Sequence, residues 1–150
     1  MYLLDTNICI ALLNGNSKVV PVFNRYFSQC YLSTIVVSEL YKGVYCSKQV
    51  EKNLETLAQL TELLPIEPFD IDAARQFGKI QSELRQIGRP TGEVDALIAA
   101  VVRSRNDILV TNNIKDFENI PNLQLENWLE LQKSCMSIFT SERSPDRIFS

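Results

Sequence analysis

The sequence predicts one α/β domain built on a short parallel sheet, and three observations carry that reading. Brief apolar runs alternate along the chain with longer stretches of three- and four-residue apolar spacing, the pattern of strands separated by helices. One run, Ile108-Leu109-Val110 between Asp107 and Thr111, is β-branched and sharply bounded, as a buried strand should be. Finally, Asp5 directly follows the apolar run Tyr2 to Leu4, which places a carboxylate at the strand end, the edge at which open α/β folds bind ligands.

The elements follow in order. Tyr2 to Leu4 reads as a strand, and Asp5 can cap a helix from about Thr6 to Leu13 that Asn14-Gly15-Asn16 ends. Val19 to Ser28 is a less regular helical stretch, Tyr31 to Ser33 a short strand, and Ser33 or Thr34 caps a helix with Val36, Leu40 and Val44 on its apolar stripe. Val50, Leu54, Leu57, Leu60 and Leu64 keep the helical period until Pro65, and Leu63 to Ile66 offers a brief strand. Asp70 then caps a long helix with Ala74, Phe77, Ile80 or Gln81, Leu84 and Ile87 in register, closed by Gly88. These two adjacent amphipathic helices suggest a helical clip beside the sheet. The turn-rich Gly88-Arg89-Pro90-Thr91-Gly92 feeds a helix from about Glu93 to Arg105, apolar at Val94, Leu97, Ile98, Val101 and Val102. After the Ile108 strand come Thr111-Asn112-Asn113, one helical turn carrying Asp116 and Phe117, and an alternating edge strand Leu123-Gln124-Leu125, with Trp128 and Leu129 docking back on the core. The domain is expected to span residues 1–132, and the polar stretch 133–150 to be a mobile tail.

Composition removes whole classes of function. A length of 150 residues, 45% hydrophobic and 22% charged, suits one globular domain with a sizeable core. No apolar run approaches a membrane span and no charged-then-apolar leader precedes the first strand, so a cytoplasmic protein without a membrane partner is expected. Cys9, Cys30, Cys46 and Cys135 form no C-x-x-C pair and read as reduced cysteines. The chain has no histidine, which excludes imidazole zinc sites and Ser-His or Cys-His nucleophiles. Carboxylates must carry any hydrolytic chemistry. A net charge of −3 speaks against coating nucleic acid by charge alone, but leaves room for an acidic pocket that holds a cation.

Four acids recur at predicted junctions: Asp5, Glu39, Asp95 and Asp116. Each also has an ordinary structural role open to it. Asp5 can be a helix cap, worth about 1 kcal/mol; Asp95 can gain about 0.3–1 kcal/mol from the dipole of the helix it starts; Glu39 can face solvent, and Asp116 can belong to a polar turn. Convergence is the argument for function, because a parallel sheet gathers strand ends on one edge. An oxygen-only set suits a hard cation.

The blocks Leu4-Asp5-Thr6-Asn7, Ser38-Glu39-Leu40 with Gly43, Gly88-x-Pro90-x-Gly92-x-x-Asp95-x-x-Ile98-Ala99-Ala100 and Thr111-Asn112-Asn113-x-x-Asp116-Phe117 resemble the PIN domain. More narrowly they resemble the VapC toxins of bacterial type II toxin–antitoxin pairs, over about residues 1–129. The resemblance implies a parallel sheet with helices on both sides, an Mg²⁺- or Mn²⁺-dependent endoribonuclease, a homodimer, and inhibition by a cognate VapB-type antitoxin. Asp5, Glu39 and Asp95 match the family's three invariant acids. Many PIN domains have a fourth acid where Asn113 stands; here the acid comes three residues later, at Asp116.

The expected chemistry is phosphodiester hydrolysis assisted by the cation. Asp5 and Asp95 are the expected direct ligands, with Glu39 and Asp116 orienting waters or serving a second metal. Thr6, Asn7, Thr111 and Asn113 are expected to hydrogen-bond the ligands or substrate, and Lys42, Arg89 and Lys115 to contact the RNA backbone. Single-stranded or loop RNA, tRNA included, is the expected substrate, since its bases can be splayed into a pocket. The competing reading is a catalytically silent PIN-like module that binds protein or RNA through the same acids.

Overall fold

A computed structural model describes residues 1–130; the expected tail, 133–150, lies outside the described residues. Five strands, β1 (Tyr2–Leu4), β2 (Cys30–Ser33), β3 (Ile66–Glu67), β4 (Ile108–Val110) and β5 (Gln124–Glu126), form a parallel sheet in the order β3-β2-β1-β4-β5. Leu3 pairs with Tyr31 on one side and Leu109 on the other, and Leu109 pairs with Leu125. The connections are α1 (Thr6–Leu13), α2 (Val19–Tyr26), α3 (Thr34–Tyr45), α4 (Val50–Leu63), α5 (Ile71–Gln86), α6 (Glu93–Arg105) and α7 (Ile114–Phe117), with a 3-10 turn at Phe27–Gln29. The first two crossovers run one way from β1 and the later ones return past it. Because such crossovers are right-handed, the reversal puts helices on both faces of the sheet. Burial agrees: neighbouring Leu3 and Leu4, like Leu109 and Val110, point to opposite faces and are all fully buried.

The amphipathic stretches form helices as expected, but their pairing differs. The clip anticipated between the Val50 and Asp70 helices is not built that way. α4 folds back on α3, and α5 pairs with α6, whose Ala96, Ala99 and Ala100 are buried and allow close approach. The Gly88 loop between α5 and α6 is short enough to make that pair an antiparallel hairpin, whereas the chain between α4 and α5 is spent on β3.

Two strand boundaries and the buried face of α5 also differ from expectation. β3 is Ile66–Glu67, since α4 continues through Leu63 and the ladder starts where Leu32 N–H donates to the Pro65 carbonyl at 2.9 Å. β5 starts one residue late, at Gln124, after Asn122 takes φ 57° in the preceding turn. On α5 the Asp70 carboxylate accepts the Ala73 N–H at 2.9 Å. That cap sets the phase that buries Ala73, Ile80 and Leu84, and leaves Ala74 and Ile87 exposed.

At the amino end of the strands another acid serves the fold. Asp107 takes the Tyr31 hydroxyl (2.8 Å), the amino terminus (3.1 Å) and Arg105 Nε (3.1 Å), so the buried phenol is paired. Burial, with Asp107 beside it, pushes the Tyr31 phenol above its ordinary range.

Candidate active site

β1 and β4 are neighbours at the point where the strand order reverses, and Leu4 lies in register with Val110. The residues that follow them, Asp5 and Thr111, are therefore held side by side in the crevice that forms at such a reversal. Backbone bonds fix both: Asp5 N–H donates to Val110 O and Thr111 N–H to Glu126 O, each at 2.9 Å. The Thr111 hydroxyl, fully buried, donates to Asp5 Oδ2 at 2.7 Å. Asp5 itself is only 4% exposed.

Asp5 also touches its own helix. Oδ1 accepts Thr6 N–H at 2.8 Å, and Asn7 Nδ2 donates to Oδ2 at 3.3 Å. A capping side chain usually takes the second or third N–H of the helix. Here only the first is taken, so the carboxylate leans out of the helix axis toward Thr111. Burial raises the Asp5 pKa and nearby Glu39 adds to this, against the opposing hydrogen bonds of Thr111, Thr6 and Asn7.

Glu39 reaches the same edge from the middle of α3, which packs on α1. Its Oε2 accepts the Thr6 hydroxyl at 2.5 Å, so a half-buried glutamate is aimed inward rather than at solvent. Asp95 lies in the first turn of α6 after the Gly92 cap. Burial is the largest cause of its raised pKa, about 6, and the charges of Asp116, Asp5 and Glu39 follow in that order. Asp95 thus lies within electrostatic reach of the three other acids, although of the four only Asp5 directly follows a strand.

Asp116 is exposed in the single turn of α7, which the Thr91 hydroxyl ties to the Gly88 loop by donating to Asp116 O at 2.7 Å. Among the described residues its carboxylate accepts no hydrogen bond, leaving it available to the crevice. Asn113 presents its backbone N–H to Thr111 Oγ1 at 3.1 Å; its side chain is exposed. Lys42, Arg89 and Lys115 are exposed and make no ion pair among the described residues, unlike Arg103, which Glu83, Gln76 and Pro121 O hold in place.

Among the described residues no three acidic or cysteine side chains close on one point as a full metal cage. Mg²⁺ takes one or two carboxylates and keeps several waters, so it does not require such a cage. The donors are all oxygens and their mutual repulsion favours a cation, so the residue set fits Mg²⁺ or Mn²⁺.

Two residues escaped the sequence reading. Asn112 N–H donates to Asn7 Oδ1 at 2.9 Å and its side chain accepts from Asn127 Nδ2 at 3.2 Å, tying three strand ends together. Thr91 links the loops that carry Asp95 and Asp116. The only signal for either was its place inside a block already singled out for another residue.

Residues 2–123 match the family model described as PIN domain. The chain belongs to the PIN-domain family. Relatives of this PIN domain include the tRNA(fMet)-specific endonuclease VapC of Shigella flexneri, 36% identical, with 85% of this chain and 97% of the relative covered. Ribonuclease VapC2 of Rickettsia felis is 39% identical, covering 85% and 98%. Among solved structures, DNA-bound VapBC from Salmonella typhimurium superposes with a TM-score of 0.81 at 35% identity, over 85% of this chain and 97% of that one. VapBC2 from Rickettsia felis, bound to a promoter fragment, gives 0.80 at 38%, over 85% and 98%. These relatives, named as ribonucleases or solved as VapBC complexes, support the reading of this PIN domain as a toxin endoribonuclease.

Proposed function

We propose that this PIN domain cleaves RNA with a divalent cation held by Asp5 and Asp95, as the toxin of a VapBC-type pair. The observation that carries the proposal is the carboxyl edge of the sheet, where Thr111 holds the buried Asp5 and Thr6 turns Glu39 inward, with the half-buried Asp95 in electrostatic reach of them and of Asp116. Groups crowded in this way are stabilised as anions only when positive charge joins them.

When bound, Mg²⁺ or Mn²⁺ supplies the charge that makes water a nucleophile near neutral pH and stabilises the departing oxygen. The protein supplies alignment. Thr111, Thr6 and Asn7 lock the Asp5 carboxylate in one orientation, and the Thr6 hydroxyl holds Glu39 so that its second oxygen can take a proton from the attacking water. Asp116 and Asn113 complete the far side of the crevice. Lys42, Arg89 and Lys115 receive backbone phosphates and offset the net charge of −3.

The substrate we infer is single-stranded or loop RNA, with tRNA first to be tried, in keeping with the Shigella relative's name. The partner is a small VapB-type antitoxin with a basic side chain for the acid cluster, which a guanidinium fits well. A homodimer acting in the cytoplasm completes the reading; among the described residues no helix is long and apolar enough to cross a membrane. Purified protein should cleave tRNA in Mg²⁺, stop in chelator and resume with Mn²⁺. Cleavage that continues undiminished in chelator would refute the metal assignment, and no cleavage of any RNA by metal-replete protein would refute the rest.

A further inference from the structure

Amide side chains at the carboxyl edge of the sheet form a directed chain that ends on the acids. Leu129 follows the buried Trp128 and packs on the core, and its backbone N–H donates to Asn127 Oδ1 at 3.0 Å. Asn127 Nδ2 donates to Asn112 Oδ1 at 3.2 Å. Asn112 N–H in turn donates to Asn7 Oδ1 at 2.9 Å, and Asn7 Nδ2 to Asp5 Oδ2 at 3.3 Å.

A backbone N–H can only donate, so the amide atom that faces it must be the oxygen. The Leu129 N–H therefore fixes which way Asn127 is turned, and the amino group of Asn127 then holds Asn112 by its oxygen. What the exposed Asn112 side chain is left to present is Nδ2, an amino group with no acceptor among the described residues.

That group stands where donors are scarce. Asn7 and Thr111 spend theirs on Asp5, and the Thr6 hydroxyl is spent on Glu39. An anion that enters beside these carboxylates needs a donor already aimed, because a group held in place loses less freedom on binding. The neighbouring Asn113 side chain is exposed and has no hydrogen bond among the described residues, so it lacks that advantage.

We propose that Asn112 is a substrate-binding residue: its Nδ2 donates to an oxygen of a phosphate next to the one that is cleaved, and Asn127 is the positioning residue that keeps this donor turned outward. Side-chain amides are ordinary phosphate donors, and a hydrogen bond to a charged oxygen is stronger than one between neutral groups. The proposal rests on the ribonuclease reading for its consequence, whereas the contact itself needs only RNA.

Binding and turnover are therefore measured separately. Affinity for tRNA is measured in the Asp95→Asn protein, in which Mg²⁺-dependent turnover should be absent, alone and with Asn112→Ala, Asn127→Asp or both. Asn112→Ala keeps the backbone N–H that holds Asn7 and should weaken binding at least about fivefold. Asn127→Asp still accepts the Leu129 N–H but has nothing to donate, so Asn112 turns its amino group toward the new carboxylate and its oxygen toward the phosphate. An equal loss is expected although Asn112 is intact. The two changes together should bind no more weakly than Asn112→Ala alone; if the added charge were responsible, Asn127→Asp would weaken binding again in the Asn112→Ala protein. With Asp95 restored, each variant should raise KM by the same factor and leave kcat and Mn²⁺ affinity within about twofold, since a contact to a phosphate that does not react is equally strong in the ground and transition states. Unchanged tRNA affinity in Asn112→Ala, a silent Asn127→Asp or additive losses overturn the proposal. So does a fall in Mn²⁺ affinity, which would make the amide chain a brace for Asp5 instead. The expected affinities with no cleavage by any metal-replete protein keep the contact and remove the ribonuclease reading.

Discussion

Replacing Asp95 by Asn should abolish cleavage and at the same time stabilise the metal-free protein at neutral pH. Asn has the same shape but no charge, so the change relieves the repulsion that Asp116, Asp5 and Glu39 impose and the cost of burial. An acid whose pKa is raised by folding stabilises the folded state while it is protonated. That contribution is complete below about pH 4, is lost as pH rises toward 6, and leaves the ionised group a liability above it. A shift of roughly two units corresponds to at most about 3 kcal/mol. Solvent reaches this half-buried carboxylate and screens the charges, so about 1 kcal/mol is the working figure. Urea unfolding in chelator, at intervals from pH 4 to pH 8, measures the effect. The variant's advantage should be near zero at pH 4 and reach its plateau above pH 6. Saturating Mg²⁺ should reverse the order, because the wild type gains about 1.4 kcal/mol at ten times its dissociation constant and the variant gains less. An Asp95→Asn protein less stable than wild type at pH 7 in chelator, or an advantage independent of pH, would falsify the crowding argument.

Thr111→Val deletes the buried hydroxyl that holds Asp5; we expect a loss of about 1–2 kcal/mol in denaturant unfolding and at least a tenfold fall in cleavage rate. Equal activity would mean that the 2.7 Å bond does not orient the ligand. Asp116→Asn should raise the Mg²⁺ concentration needed for half-maximal cleavage, and adding Asn113→Asp in the same protein should restore it if charge in that corner is what matters. A silent Asp116→Asn would instead make α7 a turn with no part in the site. Tyr31→Phe is the control at the opposite edge: it removes the hydroxyl bonded to Asp107, should cost about 1 kcal/mol, and should leave metal dependence and turnover as they were. A change in its metal titration would show that the two edges are coupled.

What the sequence by itself determined was local. Helical period, caps and β-branched runs fix which residues can be helix or strand, and they placed all five strands to within a few residues. They also picked out Asp5, because a strand that stops at a carboxylate needs no tertiary information to be noticed. The sequence could not say that Asp5 is more than a cap, since the first N–H of α1 does bind it. Its second oxygen turns to Thr111, 106 residues away, a contact that exists only because β1 lies beside β4. Glu39 likewise faces inward through the Thr6 hydroxyl, which α1 brings to it. Helix pairing was decided at the same level. The α4 and α5 stripes are both amphipathic in sequence, and the partners, α3 for one and α6 for the other, follow from where β3 interrupts the chain and from the buried alanines of α6. Hydrophobic pattern specifies that a face must be covered; only the closed sheet, by fixing which elements stand next to each other, specifies by what.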